Sequence, residues 1–141
     1  MASDKLQLEI VTPDRQVLKT EVDEVQVPGK NGYLGILPGH APLISELQVG
    51  EISYKQGKVS HFIAVAWGYV EVLPDRVTIL AETAEKADAI DVKRAEAAKE
   101  RAEKRLAQVQ NPDVDFDRAM VSLQRAIIRI QVSHKTGTDR D

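Results

Sequence analysis

Arg76-Val77-Thr78-Ile79-Leu80-Ala81-Glu82-Thr83 is followed, after Ala84-Glu85-Lys86-Ala87, by a run from Asp88 to Gln110 that contains neither Gly nor Pro. The first stretch is rich in β-branched residues and reads as a strand. The second is rich in Ala, Lys, Arg and Glu, which are strong helix formers. The period of the chain changes between them, and a domain boundary is expected there. Residues 1–86 are read as a β-domain and residues 87–141 as a helical segment.

Upstream, the signals are those of strands. Leu6-Gln7-Leu8-Glu9-Ile10 alternates apolar and polar residues, as a half-buried strand does. Turn signals recur at Thr12-Pro13-Asp14-Arg15, Pro28-Gly29, Pro38-Gly39, Gln56-Gly57 and Pro74-Asp75. Val59 to Leu73 is long enough for two strands, with a bulge or bend expected at Gly68. Many short strands with regular turns indicate a sandwich or a barrel.

Downstream, Asp88 is the expected N-cap of the first helix, with Asp91 at its third position. Asn111-Pro112-Asp113 stops it and restarts the chain. A second helix is expected from Val114 to Ser133. Its Phe116, Met120, Leu123, Ile127 and Ile130 fall at spacings of 4, 3, 4 and 3, a heptad stripe. The short break predicts an antiparallel hairpin of two helices of roughly 20 residues each. Small residues of the first helix (Ala95, Ala98, Ala102) are expected to face the larger ones of the second. Val121, Ile128 and Val132 lie off the stripe and need another cover: the β-domain, or a partner. The tail 136–141 is expected to fray. The fold class is α+β, an antiparallel β-domain followed by a two-helix hairpin.

Charge and composition exclude several functions. The 141 residues carry a net charge of −3, which argues against general nucleic-acid binding. Residues 1–86 carry −4 and residues 87–141 carry +1. Cysteine is absent, which removes disulfides and thiolate metal sites. His40, His61 and His134 have no ligand spacing. The N-terminus predicts no secretory leader, and no apolar run is long enough for a bilayer. No nucleophile–base pair or metal constellation marks an enzyme.

The segment Gly32-Tyr33-Leu34-Gly35-Ile36-Leu37-Pro38-Gly39-His40-Ala41-Pro42-Leu43 resembles the signature of F-type ATP synthase epsilon subunits. Ile10-Val11-Thr12-Pro13-Asp14-Arg15, Gly68-Tyr69-Val70-Glu71-Val72 and Val77-Thr78-Ile79-Leu80 stand in the order of that family, and the helical pair follows. The resemblance spans essentially the whole chain. It implies a sandwich of two packed sheets, and a non-catalytic rotor subunit of a proton- or sodium-transporting ATP synthase. The implied partners are the gamma subunit, the c ring and, when the hairpin extends and inhibits hydrolysis, the alpha/beta catalytic head. The implied place is the cytoplasmic face of the bacterial plasma membrane, held there by those partners. Gly39, His40, Ala41 and Pro42 match the region that docks near the c ring. Read without the family, the same residues make a turn with an exposed histidine.

Ile90-Asp91-Val92-Lys93-Arg94-Ala95 is similar to the I/L-D-x-x-R-A motif of the ATP-binding members of that family. Asp91 and Arg94 share a helix face, and Ala95 beside them leaves room for a flat base. Arg101 lies two turns beyond Arg94, and Arg118, Arg125 and Arg129 recur at spacings of 7 and 4. Guanidinium forks suit phosphate oxygens. By resemblance, Glu85, Ile90, Asp91, Arg94, Ala95, Arg101, Arg125 and Arg129 would hold ATP, with or without Mg, as a regulatory ligand; no cofactor is required. Arg118, Arg125 and Arg129 would meet acidic groups of the catalytic head in the extended state. The plain reading of Asp91 and Arg94 is a surface ion pair, and of the second-helix arginines a solvated face. An autonomous nucleotide enzyme and a free-standing coiled-coil adaptor are the competing functions.

Overall fold

The computed structural model describes residues 4–135 and the backbone of residues 138 and 139. The strands are β1 (Leu6–Val11), β2 (Gln16–Val22), β3 (Glu24–Gly29), β4 (Gly32–Ile36), β5 (Leu43–Leu47), β6 (Gly50–Gln56), β7 (Val59–Leu73) and β8 (Arg76–Lys86). A 3-10 turn at Ala87–Ala89 leads to α1 (Val92–Leu106), α2 (Phe116–Ser133) and the two-residue β9 (Thr138–Asp139).

Two long strands organise the β-domain. β7 is one strand of 15 residues rather than two. Its first half pairs with β6, from Gln56↔Val59 to Gly50↔Val65, and its second half with β5, from Leu47↔Gly68 to Leu43↔Val72. β8 follows its other side from Leu73↔Arg76 to Ile63↔Lys86. One layer is therefore β2-β1-β8-β7-β5 and the other β4-β3-β6-β7-β8, a β-sandwich through which β7 and β8 both pass. The pairing of β1 with β8 is parallel, whereas the other pairings are antiparallel.

The expected bend lies at Trp67–Gly68, where φ is 51° and 126°. A Cβ on Gly68 would stand 1.9 Å from the Leu80 carbonyl oxygen. Only glycine allows both that φ and that approach. The alternating residues of β1 (Leu6, Leu8, Ile10) meet Val25, Val27, Ile52, Val70, Val72 and Ile79 in the core between the layers. Each such side chain contributes about 1.5–3 kcal/mol of burial.

The hairpin lies down on this sandwich. Phe62 and Ala64 of β7, Ile90 and Val132 form a second apolar cluster, with Ala87 and Ile128 against it. The sandwich thus covers Ile128 and Val132, while Val121 stays half-buried. Lys135 holds the end of α2, its Nζ 3.0 and 3.2 Å from the Glu51 carboxylate oxygens and 5.3 Å from the Phe62 ring.

The helix ends differ from the sequence expectation. α1 starts at Val92 with Asp91 as N-cap, its Oδ1 accepting from the Arg94 N–H at 3.1 Å. Asp88 sits in the 3-10 turn instead. Burial of Ile90 in the second cluster holds that residue extended, so a helix cannot begin at Asp88. α2 starts at Phe116, capped in the same way by Asp115. The seam between the helices is also different. Apart from Val132, which rests on the sandwich, the fully buried helical residues are Ala95 and Ala102 on α1 and Ala119 and Ala126 on α2. Alanines seven residues apart on both helices allow closer backbones than a small-against-large seam. The larger stripe is displaced to one side, and Met120 is 49% exposed.

The tail is not wholly frayed: Thr138 and Asp139 pair with Ser60 and Val59. β8 leaves β7 at Ile63↔Lys86, so the start of β7 has an open edge that a passing backbone can fill. The rest of residues 136–141 lies outside the described residues.

Candidate functional site

A cavity of about 500 Å³ opens between the hairpin and the sandwich. Its helical wall carries Arg94, Ala98 and Arg101 from α1 and Ser122, Arg125 and Arg129 from α2. Helical periodicity places them there. Arg94, Ala98 and Arg101 follow one face of α1 at spacings of four and three. On α2 the arginine face lies between the alanine seam, turned to α1, and the Ile128/Val132 face, turned to the sandwich. Two helices and a sheet meeting at those angles leave a trough, and the arginines line it.

The opposite wall is the sandwich. Glu82 and Glu85 come from β8, and Thr12, Asp14 and Arg15 from the turn between β1 and β2. Five arginines and three carboxylates line the cavity, four of the arginines on the helical wall and Arg15 beside the carboxylates on the sandwich. Glu85 and Arg129 form a forked ion pair, with Nε–Oε1 at 2.6 Å and Nη2–Oε2 at 3.2 Å. The Arg125 guanidinium stands 5.5 Å from the Trp67 ring centre, a cation–π contact. Arg15, Arg94 and Arg101 have no side-chain ion pair among the described residues. Asp14 and Glu82 are likewise without a side-chain ion pair among the described residues, so the lining stays net positive and favours an anion.

A second cavity of about 530 Å³, on the other side of α2, is lined by Trp67, Gln124 and Ile127. Its charged groups, Lys30 and Glu46, pair with each other at 3.2 Å, so it offers no unmatched charge.

Of the residues singled out from sequence, Glu85, Arg94, Arg101, Arg125 and Arg129 come together at the first cavity. Ile90, Asp91 and Ala95 do not line it. Ile90 anchors the chain in the second apolar cluster, Asp91 caps α1, and Ala95 is wholly buried in the helix seam. Ala98, one turn on, lines the cavity where Ala95 does not. The expected contact of Asp91 with Arg94 is made to the Arg94 backbone N–H. Arg118 is exposed and lies away from the cavity. Ala98 and Ser122 could have been found from helical spacing. Arg15 could not, because only long-range folding brings its turn to the hairpin.

Gly39, His40, Ala41 and Pro42 lie elsewhere, in the loop between β4 and β5. Gly39 has φ 88° and donates its N–H to the Pro74 carbonyl at 2.7 Å. The His40 N–H donates to the Leu37 carbonyl at 3.1 Å, and His40 Nδ1 lies 2.7 Å from the Ala41 carbonyl oxygen. The loop is thereby fixed to the β7–β8 turn, at the end of β7 remote from Phe62 and the helices. At ~3.3 Å per residue that separation is up to roughly 40 Å. Leu37, which opens the same loop, is 57% exposed. Among the described residues no helix is long and apolar enough to cross a membrane, and no group of acidic or imidazole side chains is placed to hold a metal.

Comparison with known proteins places this architecture. Residues 5–87 match the family described as the ATP synthase Delta/Epsilon chain, beta-sandwich domain, and residues 88–134 match its long alpha-helix domain. The ATP synthase epsilon chain 2 of Syntrophotalea carbinolica is 53% identical over 133 residues, covering 94% of this chain and 96% of that one. The ATP synthase epsilon chain of Koribacter versatilis is 59% identical over 111 residues, covering 79% and 78%. Among solved structures, a chain of the Euglena gracilis mitochondrial ATP synthase (OSCP/F1/c-ring, rotational state 1) shares the fold. Its TM-score is 0.79 at 18% identity, covering 95% of this chain and 84% of that one. In both its sandwich and its helical part, the chain belongs to the Delta/Epsilon family of ATP synthase chains.

Proposed function

We propose that the chain is a non-catalytic subunit of the central stalk of an F-type ATP synthase. In this reading it helps couple the catalytic head to the c ring during ATP synthesis, and its hairpin restrains ATP hydrolysis when it extends. Membership of the family supports the assignment, as do the epsilon-chain names of its relatives. The Gly39–Pro42 loop, with exposed Leu37 beside it, is the surface we assign to the c ring and gamma. Such partners would hold the chain at the cytoplasmic face of the bacterial membrane.

The hairpin is a ligand-sensitive switch in this proposal. ATP, with or without Mg, occupies the arginine cavity and stabilises the folded-down state. The convergence of Arg94, Arg101, Arg125 and Arg129 on one cavity with Glu85 carries this reading. The cavity offers hydrogen-bond donors for phosphate, and the sequence has no phosphate-cradling Walker loop, so ATP would be held rather than hydrolysed. A ligand at ten times its dissociation constant stabilises the bound form by about 1.4 kcal/mol. That moves a two-state equilibrium roughly tenfold. Arg125 and Arg129 cannot serve phosphate and the acidic groups of the catalytic head together, so the two states exclude each other. Arg118 would serve only the extended state.

Calorimetry of the full chain with ATP tests the ligand. Binding at millimolar ATP or below, lost in Arg94→Ala, is expected; absence of heat at millimolar ATP removes the ligand from the proposal. ATP hydrolysis by the assembled complex, with and without residues 88–141, tests the restraint. Truncation should raise hydrolysis, and an unchanged rate would show that the hairpin does not inhibit.

A further inference from the structure

We infer that Arg15, in the turn between β1 and β2, is a further phosphate-binding residue of the arginine cavity, and that it is the contact through which the ligand senses hairpin position. The inference rests on the proposal that ATP occupies this cavity. Its starting point is a thermodynamic requirement. A ligand shifts a conformational equilibrium only by its differential affinity for the two states. A cation on the sandwich contributes to that difference directly, because extension of the hairpin carries the helical arginines away from it.

Among the described residues that line the cavity, Arg15 is the one cation contributed by the sandwich. The other charged groups on that wall are Asp14, Glu82 and Glu85, all carboxylates that repel phosphate. Arg15 has no side-chain ion pair among the described residues. Its turn is fixed before any ligand arrives. The Thr12 N–H donates to the Arg15 carbonyl at 2.9 Å, and the Thr12 hydroxyl reaches the same oxygen at 3.3 Å. The guanidinium therefore projects from an ordered backbone, and closing on phosphate costs only side-chain freedom. A polyphosphate between Arg15 on one wall and Arg94 and Arg101 on the other would tie the hairpin to the sandwich. Extension of the hairpin would then have to break that tie.

The test uses the full chain, its Arg15→Gln and Arg15→Lys variants, and ATP itself. Calorimetry gives the affinity, and amide exchange of α1 and α2 with and without ATP gives the coupling. Arg15 is exposed, so without ATP both variants should exchange like the wild type. Arg15→Gln should weaken ATP binding about tenfold, the scale of one lost charge-assisted contact, and should lose most of the ATP-induced protection of the helices. Arg15→Lys should recover part of both. If the wild type binds ATP and Arg15→Gln binds it equally well, with the same protection, the inference is wrong while the ATP site stands. If the wild type binds no ATP, both fall together.

Discussion

Gly68 shows how one residue governs the β-domain. Its φ of 126° and the Leu80 carbonyl 1.9 Å from a would-be Cβ leave no room for a side chain. The obstruction is backbone of β8, which cannot swing aside. Gly68→Ala should cost more than about 3 kcal/mol, combining strain with overpacking, and denaturant unfolding would read it. Asp23 gives a pH-dependent case. The Lys5 ammonium and the Gly57 N–H both bind its carboxylate, and they hold its pKa below the ordinary 3.8. A carboxyl with a depressed folded pKa stabilises the fold above its unfolded pKa, and that contribution is lost as pH falls through the folded value. The same contact raises the Lys5 pKa above 10.5, so at the alkaline end its contribution is lost as pH rises through the raised value. Asp23→Asn should therefore lower the urea midpoint at neutral pH and leave it unchanged in strong acid. The four helical arginines of the cavity, Arg94, Arg101, Arg125 and Arg129, were legible one by one from helical spacing. The roles of Ile90, Asp91 and Ala95 were not, because anchoring, capping and seam packing are defined by what the rest of the fold brings near them.

At the scale of elements, the helices could be read from composition, but their ends and their seam could not. Asp91 and Asp115 cap α1 and α2 because docking of Ile90 and the Asn111 turn hold the preceding chain extended. The Asp113 N–H donates to Asn111 Oδ1 at 2.9 Å in that turn. The heptad stripe of α2 looked like the natural seam, since large apolar residues usually fill one. Instead the alanines at 95, 102, 119 and 126 bring the helices close, and the stripe stays half-covered. Ala102→Leu should therefore push the helices apart, at a cost of about 1–3 kcal/mol to the hairpin. Faster amide exchange in α1 and α2, with β-domain protection unchanged, would verify it. Equal loosening of both parts would mean that the hairpin and the sandwich unfold as one unit.

The whole molecule is a rigid sandwich with a hairpin held by a small contact. Phe62, Ala64, Ile90 and Val132 supply its apolar part, and Glu85–Arg129 and Glu51–Lys135 its ion pairs. That contact is far smaller than the sandwich core, so the hairpin is expected to open at lower free energy than the sandwich. Val132→Asp would bury an unpaired carboxylate there, a change that costs about 3 kcal/mol or more. It should release the hairpin: proteases should then cut near residues 87–91 several-fold faster, while the β-domain fragment stays resistant. An unchanged cleavage rate would contradict a separable hairpin. The Gly39–Pro42 loop is fixed beside the Leu73 end of β7, whereas the arginine cavity is lined by Ala64, Val65 and Ala66 at the middle of that strand.

The sequence by itself determined the change from strands to helices near residue 87, the bend at Gly68 and the arginine face of the hairpin. These follow from local periodicity and backbone sterics, which neighbours along the chain dictate. Only the tertiary structure decided that β7 and β8 run through both layers, that alanines form the helix seam, and that Ile128 and Val132 rest on the sandwich. It also decided that Arg15 faces Arg94 and Arg101 across one cavity. Those arrangements depend on contacts between residues far apart in the chain, where spacing along the sequence carries no information about distance in space.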